Sequence, residues 1–409
     1  MHPPAAPSLP RLPLQASDLR GLARLGVDGV LGITDLVEAM HHTIASRTAI
    51  GGPPPSGRTQ GITGFVYRAV RGTTRGVGWI GDALLGALPS RAAAPDTLRH
   101  PPREALLAAL NGVWGDHLAD SRNPLAIAMT LRPGHRDAAP ATIDDEAQVS
   151  SRVLVLVHGL CMNDLQWRRH GHDHGTALAQ ALGCTPLYLH YNSGRHISSN
   201  GRDFARLLDH ALAQWPVPVQ DLAIVGHSMG GLVARSACHH AQQQRLPWLA
   251  HLKSLVFLGT PHHGAPLERG GHLLDTVFGL SPYVAPFTRL GGSRSAGITD
   301  LRYGNLQDAD GQDRLNSPQR RDGRRPTPLP PGVRVSVVAA TLSAEPCSRR
   351  SRLLGDGLVP LASALGEHAD PRLALALPPS QQLVVPKASH WDLLDREEVT
   401  ARLVRWLDG

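Results

Sequence analysis

From about residue 123 to the C-terminus, short apolar or β-branched runs alternate with segments whose apolar residues recur at three- and four-residue intervals. The runs are Leu125–Leu131, Val153–Val157, Pro186–His190, Leu222–Val225, Ser254–Leu258, Val333–Ala340 and Gln382–Val385. The intervening spacing predicts helices over 173–182, 202–215 and 229–244, and a last one over 395–407. Such alternation implies an α/β fold, a mostly parallel sheet with helices on both faces.

The chain upstream has a different texture. Residues 1–16 are proline-rich and are expected to be a disordered tail. Ser17 is placed to cap a helix in which Leu19, Leu22, Leu25, Val30, Ile33, Leu36, Val37 and Met40 recur at mostly helical spacing, although Gly26, Gly29 and Gly32 put its continuity in question. The linker Gly51–Gly57 leads to a second apolar stretch carrying Phe65, Val66, Val70, Val77, Trp79 and Ile80 between glycines. Small residues at near-helical spacing permit close backbone approach. Two readings stand: a membrane-surface or helix-pairing element, and a helical hairpin packed on the rest of the chain or on a sister subunit. A further helix over 103–119 is grouped with this region, giving an N-terminal helical region over 17–120 and an α/β domain over 121–409.

Within the α/β part, more than seventy residues separate Leu258 from Val333. Structureless loops of that length are rare in compact domains, so residues of about 262–331 read as an inserted subdomain or lid. Its apolar members include Phe278, Tyr283 and Phe287, and its end, Asp308–Pro331, is polar and rich in arginine and proline.

Composition narrows the function classes. The formal charge is +7, but nearly all the basic residues are arginine and, apart from Arg320, Arg321, Arg324 and Arg325, they are scattered. With no basic patch interleaved by aromatic residues, a nucleic-acid partner is not expected. Cys161, Cys184, Cys238 and Cys347 form no Cys-x-x-Cys pair, which argues against a zinc site or a disulfide framework. The start of the chain lacks a basic segment followed by an apolar run, and no stretch of about 18 apolar residues is present, so a cytoplasmic location without a spanning helix is expected.

Candidate chemistry centres on Gly226-His227-Ser228-Met229-Gly230-Gly231, which follows the buried run Leu222–Val225 and opens the helix predicted from 229. A serine on a sharp strand-to-helix bend is exposed to attack a carbonyl, and glycines two residues to either side relieve the crowding there. Upstream, Val153–Val157 runs into His158-Gly159-Leu160; a glycine turn at that point brings a backbone amide toward the serine. Leu160 and Met229 are accordingly the expected oxyanion-hole donors, and His158 reads as structural. Leu258-Gly259-Thr260-Pro261-His262-His263-Gly264 ends the next strand, with His262 and His263 read as loop residues lining the pocket.

His-Gly, Gly-His-Ser-x-Gly-Gly and Gly-Thr-Pro-His-x-Gly, in this order, resemble the bacterial lipase and esterase families of the α/β hydrolases over roughly residues 123–409. The resemblance implies the α/β-hydrolase fold, acyl chemistry and the triad order serine, acid, histidine. Gly355-Asp356-Gly357-Leu358-Val359-Pro360 matches the family's Asp-Gly-x-Val-Pro element, which favours Asp356 over Glu345, Asp370 and Asp322. His390 follows the last strand, whereas His368 precedes it. Asp392 stands where some bacterial lipases place a calcium-binding carboxylate, but no matching second acid precedes Asp356, so Asp392 reads as a cap or surface residue.

The expectation is a serine hydrolase acting on carboxylic, preferably hydrophobic, esters with Ser228, Asp356 and His390 and with no cofactor or metal. An acyltransferase or thioesterase using the same triad is one alternative. The other is a membrane-recruited scaffold acting through the N-terminal helices.

Overall fold

The computed structural model describes residues 15–46, 59, 61–87, 100–134, 149–265, 295–310, 322–345, 352 and 354–408. The 1–14 part of the tail, Phe278, Tyr283, Phe287 and Cys347 lie outside the described residues. The chain divides into two compact units, one formed by residues 1–98 with 121–125 and the other by 99–120 with 126–409.

The smaller unit is a helical hairpin of α1 (Ala16–Ser46) and α2 (Gly61–Ala87). Ser17 lies inside α1 rather than capping it, and in the first turn the Asp18 carboxylate reaches back to accept from the Gln15 amide at 2.8 Å. Despite Gly26, Gly29 and Gly32, α1 runs unbroken, and two clusters of paired side chains, one on either side of these glycines, join it to α2. Arg20 and Arg24 both grip the Asp82 carboxylate with two hydrogen bonds each, between 2.6 and 2.8 Å. Further along, Arg71 bonds Asp35 at 2.8 Å and also Glu38, which accepts from Thr59 at 2.7 Å. Asp18, Thr34, Glu38 and Arg71 are buried. Asn123 closes the unit by donating to the Gly21 carbonyl at 3.1 Å.

The larger unit is built on seven strands: β1 (Thr130–Pro133), β2 (Arg152–Val157), β3 (Thr185–His190), β4 (Asp221–His227), β5 (Leu252–Leu258), β6 (Arg334–Thr341) and β7 (Gln382–Pro386). Their order is β1-β3-β2-β4-β5-β6-β7, with β1 antiparallel to β3 and every other pair parallel. The central strands are buried on both faces, as their unbroken apolar runs require. One core layer holds α5 (Ile197–Ala213) and α6 (Met229–Gln244), through Phe204, Leu208, Leu232 and Val233. The opposite layer holds α4 (His174–Leu182) and α9 (Glu397–Asp408), through Leu178, Val399 and Leu403. Two short helices complete the unit, α7 (Ala296–Tyr303) and α8 (Leu361–Leu365). The chain leaves β2 for β3 on one side and returns to β4 on the other, so a topological switch point falls between β2 and β4, where open α/β sheets bind ligands at the carboxyl ends of their strands.

Two sequence expectations shift. The helix expected at 103–119 spans Pro101–Asp120, as α3, and falls in the larger unit rather than with the N-terminal helices. Its partners explain this: Asn192 donates to the Gly115 carbonyl at 2.8 Å, Ser295 to the Gly112 carbonyl at 2.7 Å, and the Ala296 amide to Asp116 at 2.8 Å. The run Leu125–Leu131 contributes only its end to the sheet, since β1 begins at Thr130 and the Ile127 amide is taken by the Asn111 side chain at 2.9 Å.

Candidate active site

Ser228 sits between β4 and α6 with φ 54° and ψ −127°, a conformation side-chain-bearing residues rarely adopt. The bend is held because the Ser228 amide donates to the Leu258 carbonyl at 2.8 Å. It is also why its neighbours are glycine: a Cβ on Gly226 would stand 2.6 Å from the Gly231 Cα, and one on Gly230 would stand 2.2 Å from the Val157 carbonyl oxygen of β2.

His390 and Asp356 come from loops beyond β7 and β6 and are each 2% exposed. The His390 Nδ1 donates to Asp356 Oδ2 at 2.6 Å, and the His390 amide donates to the Asp356 carbonyl at 3.1 Å. The other carboxylate oxygen, Oδ1, accepts from the Leu358 and Val359 amides at 2.9 and 2.8 Å. Asp356 is therefore fixed on both oxygens, and its bond puts the imidazole proton on Nδ1, leaving Nε2 as the basic nitrogen. His390 and Ser228 line one pocket rather than sharing a hydrogen bond. The pocket's wall is apolar: Leu160, Met162, Leu358, Val359, Trp391 and, from α7 in the insertion, Leu301.

The two expected oxyanion donors differ from their neighbour. The Cys161 amide is committed to Ser193 Oγ at 3.0 Å, whereas the Leu160 and Met229 amides carry no hydrogen bond among the described residues. Met229 is the first residue of α6, so its N–H is one of the four that a helix leaves unpaired. His158 is fully buried, bonded through Nδ1 to the Gly159 carbonyl at 2.9 Å and stacked 4.3 Å from Tyr191. Burial pushes its pKa down to about 3, which keeps it neutral and structural.

His227, the residue before the serine, went unremarked in the sequence. It is fully buried with its ring 4.7 Å from that of His390, and its Nε2 donates to the His390 carbonyl at 3.3 Å. Burial, and secondarily the His390 charge, holds His227 well below the ordinary histidine value. A neutral His227 imidazole holds the His390 backbone without adding a positive charge of its own. Adjacency to the serine was the signal available for His227, as adjacency to His390 was for Trp391.

His262 and His263 do not line the Ser228 pocket. They line a separate crevice with Arg235 and Arg324, where Arg235 bonds His262 Nδ1 at 3.2 Å and Arg324 bonds His263 Nδ1 at 3.3 Å. Of the rejected acids, Asp322 pairs with Arg324 and lies 3.4 Å from His368, and Asp370 pairs with Arg372 at 2.7 Å. Asp392 accepts from the Ser389 amide at 2.8 Å, and among the described residues no group of three or more metal-ligating side chains occurs.

A strained serine on a strand-to-helix bend shares a pocket with an Asp-bound histidine, and both are carried by a seven-stranded, mostly parallel sheet. The larger unit has the α/β-hydrolase fold. Residues 148–284, about a third of the chain, match the family model of the PGAP1-like alpha/beta domain. That stretch takes in β2 to β5 of the hydrolase unit and includes Ser228, but neither Asp356 nor His390. No curated protein matches the sequence. Among solved structures, the chain is similar to the mature form of the Bacillus licheniformis lipase BlEst2, at 17% identity and a TM-score of 0.40, covering 68% of this chain and 98% of that one. A lipase-esterase related protein from Clostridium acetobutylicum is similar at 11% identity and a TM-score of 0.38, covering 68% of this chain and 100% of that one. A type II thioesterase of the yersiniabactin pathway, YbtT, matches at 16% identity and a TM-score of 0.37, covering 68% and 97%. None of these likenesses bears on what the hydrolase unit acts on.

Proposed function

We propose that the chain is a carboxylic ester hydrolase that works through an acyl-enzyme on Ser228, with hydrophobic acyl esters as its preferred substrates. In this reading Ser228 Oγ attacks the ester carbonyl carbon while His390 Nε2 takes the hydroxyl proton, and Asp356 holds the ring and stabilises the imidazolium. The carbonyl oxygen, now carrying the negative charge, is held by the Leu160 and Met229 amides, each such donor contributing about 3 kcal/mol to transition-state stabilisation. His390 returns its proton to the departing alkoxide, which leaves as the alcohol. A water deprotonated by His390 then attacks the acyl-serine, and collapse releases the acid and restores the hydroxyl. The residues described supply each step, and no metal or organic cofactor is called upon.

The observation that carries the reading is the buried His390–Asp356 bond with its imidazole on the same pocket as Ser228. The apolar wall contributed by Met162, Leu301 and Trp391 supports a hydrophobic acyl group. The test is turnover of p-nitrophenyl esters of increasing chain length, with fluorophosphonate labelling of the folded protein. Ser228→Ala is expected to lower kcat by about 10⁴- to 10⁶-fold and to abolish labelling. A folded wild-type protein that neither labels nor turns over any ester overturns the assignment, and an added alcohol that captures the acyl group in preference to water redirects it to acyl transfer.

A further inference from the structure

The hairpin is built inside out. Of the fourteen large apolar side chains that stand exposed among the described residues, eleven belong to α1 and α2, including Ile33, Val37, Phe65, Val77, Trp79 and Leu84 at 46–74% exposure. Most of its charges lie the other way: Asp82 between Arg20 and Arg24, and Arg71 against Glu38, occupy the seam. Among the exposed described positions of both helices, only Asp35, Arg68 and Arg75 are charged, and Asp35 is bonded to Arg71. This is the distribution expected of helices surrounded by an apolar phase, where polar side chains satisfy one another inward.

The extent of the surface says what covers it. The eleven side chains amount to on the order of 1,000 Å² of apolar area, beyond the few hundred that monomers commonly expose and at least the roughly 800 Å² per partner of a standard protein interface. A second hairpin would be read by a narrow stripe repeating every 3.5 residues. In α2, however, adjacent residues are exposed together, Phe65 with Val66 and Trp79 with Ile80, and neighbours on a helix point about 100° apart. The apolar band is thus too wide for one docked seam. The outward charge is positive, and Arg68 and Arg75, seven residues apart, emerge from the same side of α2. No described helix is long and apolar enough to cross a membrane, which leaves a helix pair lying in the interface.

We propose that the α1–α2 hairpin beds its outer surface in an anionic lipid interface, the apolar side chains entering the acyl boundary and Arg68 and Arg75 meeting the headgroup phosphates. The site stands apart from the chemistry of Ser228 and does not depend on it.

The test is flotation of the full chain with vesicles of phosphatidylcholine alone and of phosphatidylcholine mixed with phosphatidylglycerol. Ester turnover and far-UV circular dichroism check that each variant is folded, and light scattering gives the mass in solution. The wild type is expected to float with the mixed vesicles and to be released by added salt. Val77→Asp with Leu84→Asp is expected to lower partitioning more than tenfold. Arg68→Glu with Arg75→Glu is expected to lower it at least tenfold on mixed vesicles, in line with about 1 kcal/mol per arginine near an anionic surface. No flotation of the wild type on either vesicle overturns the proposal, as does flotation that both double variants leave unchanged. A dimer in solution that Val77→Asp with Leu84→Asp dissociates, without flotation of the wild type, also overturns it and assigns the surface to a second copy.

Discussion

The two units of this chain solve opposite problems with the same residue types. In the hydrolase unit Val155, Leu156, Ile224 and Phe257 are wholly buried and the sheet is their scaffold. In the hairpin the buried positions include Asp18, Glu38 and Arg71 while Trp79, Leu84 and Phe65 stand outside. Hydrophobic burial is the driving force for the first; paired charges hold the seam of the second. The contrast teaches that one unit is finished by its own folding, whereas the other keeps its apolar surface for something else, and it predicts that the two respond separately to mutation and to pH.

The largest effect that keeps the units distinct is at Asp356. Its replacement by asparagine retains the shape but removes the charge that holds the Nδ1–H tautomer of His390, so Asp356→Asn is expected to lower kcat about 10⁴-fold. The hairpin has no part in this change, and vesicle flotation of the variant is expected to match the wild type. A kcat within tenfold of wild type would remove Asp356 from the triad.

Next in size is the elbow itself. Gly230→Ala places a methyl group 2.2 Å from the Val157 carbonyl oxygen, which neither backbone can avoid without moving the serine. The expected outcome is a loss of stability of about 1–3 kcal/mol in the hydrolase unit, read by denaturant unfolding, together with a fall in kcat larger than the fall in stability explains. Unchanged turnover in a protein of unchanged stability would show that the bend tolerates a side chain there.

These two sites also mark what the sequence makes legible. Parallel strands buried on both faces must be continuous apolar runs, so β2, β4, β5 and β6 could be read directly, and the elbow gains its meaning from the strand before it and the helix after it. The expected succession from Ser228 through Asp356 to His390 came from the resemblance to the lipase and esterase families, which implies that order. The allegiance of α3 was not legible: nine of its residues are buried, from Glu104 to Leu118, and what buries them, Asn192 and Ser295, lies far along the chain. The same holds for His262 and His263, whose positions are set by Arg235 and Arg324, two arginines that no local pattern connects to them. In the hairpin the helical spacing was visible, but which face turned inward was decided by Asp82 and Arg71, residues that periodicity alone assigns to solvent.

Acid separates the units more gently. Burial holds His158 at about 3 and His174 at about 4, and pushes His227 and His262 well below the ordinary histidine value. The folded hydrolase unit thus refuses protons that its unfolded chain accepts below about pH 6.5, so its stability is full above that pH and is lost as the pH falls toward 4. In the hairpin, hydrogen bonds from Arg20 and then Arg24 hold Asp82 below the carboxylate range, and Arg71 does the same for Glu38. Their contribution is present above about pH 4 and is lost only below it. Tryptophan fluorescence, with six of seven reporters in the larger unit, is expected to lose melting temperature between about pH 6.5 and 4. Helical signal from the hairpin should persist over that interval. Coincident loss of both would mean that the units unfold as one.

The smallest expected effect is the most informative about the hairpin. Asp82→Asn leaves an acceptor oxygen for one arginine but removes the charge shared by Arg20 and Arg24, whose side chains are about a third exposed. Water screens part of that interaction, so the hairpin should remain helical and melt at a modestly lower temperature rather than unfold. Because ester turnover is read in the other unit, kcat is expected to be unchanged, while added salt should narrow the gap between variant and wild type. A variant as stable as the wild type at low salt would mean that the apolar contacts of α1 with α2, and not their paired charges, hold the hairpin together. The inside-out description would then lose its energetic basis.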